Sequence, residues 1–292
     1  MKFRGHETFF IRKGWLYKGM SNVVTEPEVF QGAAGNPMDV LGIGANMVKA
    51  LRYWLTTTNL TEEPRTGRKR QDLTEIGRII FDNDAYMEEI GSIWLVHYML
   101  AINEEDATSW YIFFNEFNKN EFNVDDFYSS IVKHVRMKNE NPPSNRAIED
   151  DFTCLMNTYV PRIKLNPAKV HPESNIDCPL GELGLVDVID KRKGVYKKCI
   201  PKLEMIPSLI LLAVIINANT DREIRISSLQ NDKSQIGKIF NLDSITLINA
   251  LYKVETLGYI KVIRTAGLDI IRIETDMTFI ECVQAYYNEL NN

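Results

Sequence analysis

Apolar and polar positions follow two periods along this chain, and the changes of period mark its organisation. Asn36 reads as an N-cap, with Pro37 at the first position of a short helix ending near Leu41. Gly42 allows a tight turn, and a longer helix is predicted over 45–57. Val48, Leu51 and Leu55 lie on one face of that helix, while Asn46, Lys49, Arg52 and Tyr53 share the opposite arc. This is the order of a helix-turn-helix. The polar stretch 61–70, with Pro64, Gly67 and the run Arg68-Lys69-Arg70, suits a flexible wing, and a further helix starts near Leu73.

Helices are next predicted over 88–103, 109–117 and 124–138. The first carries an apolar stripe of Ile90, Trp94, Leu95, Tyr98 and Met99. Pro142-Pro143 breaks the chain, and Ser144 caps a helix running to about Tyr159. From 161 to 201 the prolines Pro167, Pro172 and Pro179 interrupt any period, apart from a hairpin near 186–196. The last third predicts a helix over 207–217, a short strand at Ile224-Arg225-Ile226, and helices over 233–240 and 244–257. Period-two alternation over 259–264 and 268–273 then forms a hairpin around Thr265-Ala266-Gly267. The expected class is mainly α within α+β, with winged helix-turn-helix units at both ends flanking a helical middle domain. The expected boundaries are 1–83 for the N-terminal segment and first winged helix, 84–160 for the helical domain, 161–204 for a linker with its hairpin, and 205–292 for the second winged helix.

A length of 292 residues is enough for two or three small cores. The net charge is -5, which excludes a polybasic nucleic-acid coat, but the charge is uneven. Up to Arg70 there are eleven Lys/Arg against six Asp/Glu; from Gln71 to Pro161 there are six against seventeen. A basic first third fits phosphate contact, and an acidic middle would repel DNA. The four cysteines (Cys154, Cys178, Cys199 and Cys282) form no CxxC pair, and the four histidines form no HExxH, so structural zinc is not indicated. Free buried thiols in a reducing cytoplasm are the plain expectation. The opening Met-Lys-Phe-Arg lacks the apolar region of a signal peptide. The longest apolar run, Leu209 to Ile216, is too short to span a membrane.

Asn46 and Arg52 suit the edges of adenine and guanine, and Lys49 suits phosphate. Against this, winged helices also serve in protein contact, and exposed helix faces are usually polar. The C-terminal unit exposes Thr246, Asn249, Lys253 and Glu255, with Lys261, Arg264 and Arg272 in its wing. That is weak electrostatics for DNA and fits protein contact or auxiliary DNA contact. In the opening segment, His6 belongs to the residue type that titrates near neutrality, and Glu7 suits a base or a metal ligand. Arg4, Arg12 and Lys18 suit phosphates, and Phe9, Phe10, Trp15 and Tyr17 would anchor the segment. A structural His-Glu pair explains the same residues. The doublets Glu88-Glu89, Asp125-Asp126 and Asp150-Asp151 hold Mg²⁺ only if two of them meet in space, and otherwise read as solvated faces or helix starts. Glycines at 32, 35, 42 and 44 lack the GK[ST] ending of a P-loop.

Several motifs occur in an order that resembles one known family. They are Gly-His-Glu-Thr-Phe at 5–9, Arg12 with Gly14-Trp15 and Lys18-Gly19, Leu41-Gly42-Ile43-Gly44, Asn46-Met47-Val48 and Leu51-Arg52-Tyr53-Trp54. Leu73-Thr74, Gly77, Ile93-Trp94-Leu95-Val96-His97-Tyr98, Pro143-Ser144-Asn145-Arg146 with Asp151 and Tyr159, and Glu182-Leu183-Gly184-Leu185 continue it. The chain is similar in these motifs to the bacterial family called domain of unknown function 4007, the SspB-like proteins of DNA phosphorothioation and phage-defence systems. The resemblance spans roughly the whole chain. It implies a protein that binds and nicks double-stranded DNA so that sulfur can replace a non-bridging phosphate oxygen. It also implies partners: a cysteine desulfurase, an ATPase and a sulfur transferase.

Combining the two lines, the 45–57 helix would read the groove and Arg68, Lys69 and Arg70 would grip the backbone. His6 and Glu7 would activate water or hold a divalent cation, Mg²⁺ or Mn²⁺. Arg4, Arg12 and Lys18 would steady the developing charge. The alternative is a non-catalytic DNA-binding adaptor that recruits the modification complex. An autonomous transcription factor is a more distant reading.

Overall fold

The computed structural model describes residues 1–161, 177–265 and 267–291. The predicted prolines Pro167 and Pro172 and the turn residue Ala266 lie outside the described residues. The architecture is α+β, about half helical with small antiparallel sheets.

The N-terminal part runs α1 (Trp15–Thr25), a 3₁₀ turn (Val29–Gln31), α2 (Pro37–Leu41), α3 (Ala45–Thr57), β1 (Thr61–Glu62), β2 (Asp72–Leu73) and α4 (Glu75–Asp84). Helix α2 starts as its sequence dictates: the Asn36 side chain accepts the Met38 N–H at 3.1 Å, and Pro37 needs no donor of its own. It ends at Gly42, whose φ of 61° carries the chain into α3. Helix α1 was not expected. Gly19 sits in its middle, where a Cβ would lie 2.6 Å from Leu55 Cδ1, so the glycine lets α1 press directly onto α3.

The chain continues through α5 (Ile90–Ile102), α6 (Thr108–Asn115), β3 (Glu121–Phe122), α7 (Val124–Met137) and α8 (Asn145–Tyr159). Ser144 caps α8, and Asn123 with Asp126 forms a reciprocal cap on α7. Helix α5 is apolar all round and buried from Gly91 to Ala101, as befits the central helix of a core. Its His97 bridges three elements, with Nδ1 2.8 Å from Tyr159 Oη in α8 and Nε2 2.8 Å from the Ile239 carbonyl. Burial pushes this imidazole down to about 4, although the backbone partner opposes the shift.

After a 3₁₀ turn (Pro179–Leu183) packed on α5 and α8, β4 (Val186–Asp190) and β5 (Val195–Lys198) make the expected hairpin. The two-residue β3 joins it in the order β3-β5-β4, pairing Phe122 with Tyr196. The last part runs α9 (Ser208–Ala218), β6 (Glu223–Arg225), α10 (Ile226–Asn231), α11 (Ile236–Ile239), α12 (Ser244–Thr256), β7 (Ile260–Thr265), β8 (Leu268–Ile273) and α13 (Phe279–Leu290). Its sheet order is β6-β8-β7. The helix predicted over 233–240 is shorter than expected, because Ser234 sits at φ 63° and Gln235 becomes the N-cap. Helix α13 was also unforeseen; it packs on α9 and α4. Buried side chains from all these parts form one continuous apolar cluster. Among the described residues no helix is long and apolar enough to cross a membrane.

Candidate nucleic-acid interface

The N-terminal segment forms a hook over α3, and one buried carboxylate holds it. Arg4, Glu7 and Thr8 have φ of 60°, 49° and 69°, a left-handed path that costs non-glycine residues free energy. Asp151, buried on α8, opposes that strain. Its Oδ1 accepts the Arg4 N–H at 2.8 Å and lies 2.8 Å from His6 Nε2; its Oδ2 accepts the Ser109 hydroxyl at 2.5 Å. The Thr8 N–H donates to His6 Nδ1 at 3.0 Å, so Nε2 carries the proton given to Asp151. His6 is fully buried, stacked on Trp54 at 5.9 Å and edge-on to Trp110 at 5.7 Å. Both its nitrogens are engaged within the core, which is not the exposed position expected of a base or metal ligand. The reason is long-range: the Asp151 side chain reaches it from 145 residues away.

A polar cleft of about 740 Å³ opens between the hook, α3 and the β1–β2 loop. Glu7, Lys49, Arg52, Tyr53 and Lys69 all line it, so the fold brings together five of the residues singled out from sequence. Lys49 is 63% exposed and lies 3.9 Å from Glu7, itself 39% exposed. Arg52 forks onto Glu63, Nε to Oε2 at 2.8 Å and Nη2 to Oε1 at 2.6 Å. Partial burial raises the Glu63 carboxyl, but the Arg52 hydrogen bond and charge, with Gln71 and Lys69, outweigh it and hold the group below its ordinary value. Lys69 donates to the Pro64 and Arg65 carbonyls at 2.8 Å each.

Tyr53 does not share the exposed arc. The hook covers that side of α3: a Cβ on Gly5 would lie 2.5 Å from Tyr53 Cε2. The phenol is buried and donates to the Asp106 carbonyl at 2.8 Å; burial, then the Asp151 charge, push it well above its ordinary value. The free face of α3 therefore narrows to Asn46, Lys49 and the edge of Arg52.

The other predicted cations are dispersed. Lys18 donates to the Leu41 carbonyl at 2.9 Å and so caps the end of α2. Arg12 lies over the rings of Phe9 and Trp15 at 5.6 and 5.1 Å. Arg4 pairs with Asp150 at 2.7 Å, Arg68 with Glu28, and Arg70 with Asp72 through bonds of 2.7 and 2.6 Å. Two cleft cations were missed in the sequence, Lys2 beside Asp106 at 3.9 Å and Arg65 on Glu105 at 3.0 Å. The acids that neutralise Lys2, Arg4 and Arg65 come from the acidic middle of the chain. The charge asymmetry along the sequence is thus compensated in space at this face. Exposed pairs of this kind contribute only about 0–1 kcal/mol, so a phosphate can displace the carboxylates.

Three acids of the carboxylate doublets are committed to structural contacts. Asp126 caps α7, Asp150 pairs with Arg4, and Asp151 holds the hook, while the Glu88 and Glu89 backbones donate to Asp84. Among the described residues no group of three or more His, Cys, Asp or Glu is arranged to hold a metal ion. The cleft does contain Glu7 and Glu62. That donor set fits Mg²⁺ only in the arrangement where one or two carboxylates, water and substrate phosphate share the ion.

Residues 3–287 match the model of a family described as a protein of unknown function, DUF4007. The chain is similar to a crystal structure of magnesium ion-bound SspB, with a TM-score of 0.83 and 26% identity over 100% of this chain and 89% of that one. A second SspB crystal structure gives the same TM-score and identity over 99% of this chain and 87% of that one. No curated protein matches.

Proposed function

The chain belongs to the DUF4007 family, and from that premise we propose that it is the DNA-binding, DNA-nicking component of a bacterial phosphorothioation and anti-phage defence system. The observation that carries this reading is the cleft, where Glu7, Lys49, Arg52 and Lys69 converge beside α3 on a fold shared with SspB. In this reading α2, the Gly42 turn and α3, with the β1–β2 loop, act as a winged helix-turn-helix on double-stranded DNA. Asn46 and Lys49 meet the groove and backbone. Lys49, Arg52 and Lys69 exchange their carboxylate partners for phosphate oxygens. Arg65, Arg68 and Arg70 add backbone contacts around the loop, and Arg12 adds one from the hook side. Arg4 and Lys18 act as structural cations.

Glu7 is the exposed carboxylate beside a phosphate-binding lysine, and we assign it the role of base or metal ligand. His6 is then a positioning residue: with Asp151 it fixes the turn that presents Glu7. Magnesium, which one SspB structure binds, would supply charge stabilisation at the phosphoryl oxygens. Glu7, joined by Glu62, would hold it. The N-terminal unit 1–83, the helical part 84–160 and the C-terminal winged helix 205–292 would divide the work. The exposed Ile245 and Tyr252 on α12 suit contact with the cysteine desulfurase, ATPase or sulfur-transferase subunits better than DNA.

One observation favours a non-catalytic adaptor instead: both His6 nitrogens are engaged within the core. Duplex binding by Lys49→Ala and Arg52→Ala, with nicking of supercoiled plasmid in Mg²⁺ or Mn²⁺, separates the readings. Weakened binding in both variants supports the interface. Tight binding without nicking under either metal supports the adaptor.

A further inference from the structure

A second cavity, of about 310 Å³, lies where the α6–β3 loop, the end of β5 and α10 to α12 meet. Lys198, Lys238, Asn118 and Asn120 are in its wall. The fold fixes Lys198 firmly. Its ammonium donates to the Phe113 and Phe117 carbonyls at 2.6 and 2.7 Å and lies 4.7 Å from the centre of the Phe113 ring. Two of its three protons are thereby used. The Lys198 N–H also donates to the Asn120 carbonyl at 2.8 Å, which keeps that residue alongside. Lys238 donates to Asn118 Oδ1 at 2.7 Å, which leaves the amide donors of Asn118 to the cavity.

Capping the end of α6 accounts for one lysine and not for two. Burial lowers the Lys198 ammonium to about 7, and the Lys238 charge pushes in the same direction. Among the described residues of the wall the one carboxylate, Asp243, is committed to the N-terminus of α12, where it accepts the Thr246 N–H at 2.8 Å. Lys238 therefore brings a positive charge, Lys198 an ammonium that a nearby anion would favour, and the asparagines amide donors, with no free partner anion among the described residues of the wall. The cavity's volume is at the lower end of small-molecule sites. Carboxylates are best met by the planar fork of arginine, which the described residues of the wall lack, whereas lysine ammonium groups bind phosphate as point charges.

We propose that this cavity is a second ligand site, distinct from the DNA cleft, which binds a small phosphorylated molecule with its phosphate against Lys198 and Lys238 and with Asn118 and Asn120 donating to it. Because the wall joins α6, β5 and α10 to α12, an occupant would tie the helical middle of the chain to its C-terminal part.

Calorimetric titration of the full chain with inorganic phosphate, ribose 5-phosphate and adenosine monophosphate tests this, with ribose and adenosine as dephosphorylated controls. The expected result is saturable binding of at least one phosphorylated probe below about 1 mM and none of the controls. Lys198→Met removes the partners of two carbonyls and can unfold the region, so Lys238→Gln is the deciding variant. It should weaken that binding roughly tenfold or more, the worth of a charged hydrogen bond, with duplex affinity unchanged. Lys49→Gln should leave phosphate binding intact. Absence of saturable binding up to about 5 mM, or binding that survives Lys238→Gln, overturns the proposal. So does a 5′-phosphorylated oligonucleotide that binds through Lys238 more tightly than every small probe.

Discussion

Replacing Asp151 by alanine should release the N-terminal hook, and the size of the effect can be worked from its partners. The buried carboxylate accepts the Arg4 N–H, the His6 imidazole and the Ser109 hydroxyl. With His6 neutral, its Nδ1 accepting the Thr8 N–H, the loss orphans three buried donors, at about 1–3 kcal/mol each. Relief from desolvating the carboxylate and rotation of the Ser109 hydroxyl offset part of this. Asp151→Ala should therefore destabilise the protein by about 4 kcal/mol, lowering the melting temperature by roughly 6–8 °C for a chain of this size. Asp151→Asn keeps an oxygen for Arg4 and His6, and its amide can donate to Ser109. It should cost only about 1–2 kcal/mol, the difference between charged and neutral hydrogen bonds. Urea unfolding followed by tryptophan fluorescence measures both, since Trp54 and Trp110 flank His6. Hydrogen exchange should show the Phe9 amide, bonded to the His6 carbonyl at 2.8 Å, losing protection in the alanine variant. An alanine variant within about 1 kcal/mol of wild type, or an asparagine variant equally damaged, would refute the assignment of Asp151 as the hook's anchor.

Three further outcomes concern His97, Glu63 and Lys49. His97 is held down to about 4 when folded, against 6.5 for the free group, so the unfolded chain takes the proton first as pH falls. Its contribution is fully present above pH 6.5 and is lost toward pH 4, on the order of 3 kcal/mol. Urea midpoints at pH 7 and pH 4.5 should diverge less in His97→Gln than in wild type. Glu63→Gln should tighten duplex binding several-fold at low salt, because the carboxylate that Arg52 and Lys69 share competes with phosphate. Lys49→Ala should do the reverse and lower the salt slope by about one, as read by fluorescence anisotropy across a salt series.

Local codes carried the α2–α3 pair from sequence to structure. The Asn36-Pro37 start, the Gly42 turn and the apolar spacing of Val48, Leu51 and Leu55 are all settled within a few residues. Helix α1 escaped because Gly14 offers no side-chain cap and Gly19 weakens helix propensity for the sake of close packing. Helix α13 did have a signal, the reciprocal cap of Thr278 and Glu281 ahead of Cys282, Val283, Tyr286 and Tyr287 on its buried face. The two-residue strand β3 owes its existence to pairing with β5 some 75 residues on, which no local pattern records.

The site divides the same way. Lys49 and Arg52 were readable as one face of a helix, and Glu7 as part of a polar opening segment. The burial of His6 and Tyr53 was not, because the hook and Asp151 that enclose them are distant in sequence. Nor was the neutralisation of the basic third, since Asp106, Glu105 and Asp150 reach it only through the fold.

Relaxation of supercoiled plasmid in Mg²⁺, compared for wild type, Glu7→Gln and Lys49→Ala, bears most directly on the proposed function. Wild type should nick, Glu7→Gln should lose at least about a hundredfold with duplex affinity retained, and Lys49→Ala should lose activity through weaker binding. Full nicking by Glu7→Gln, or nicking by none of the three under Mg²⁺ or Mn²⁺, would contradict the proposed function.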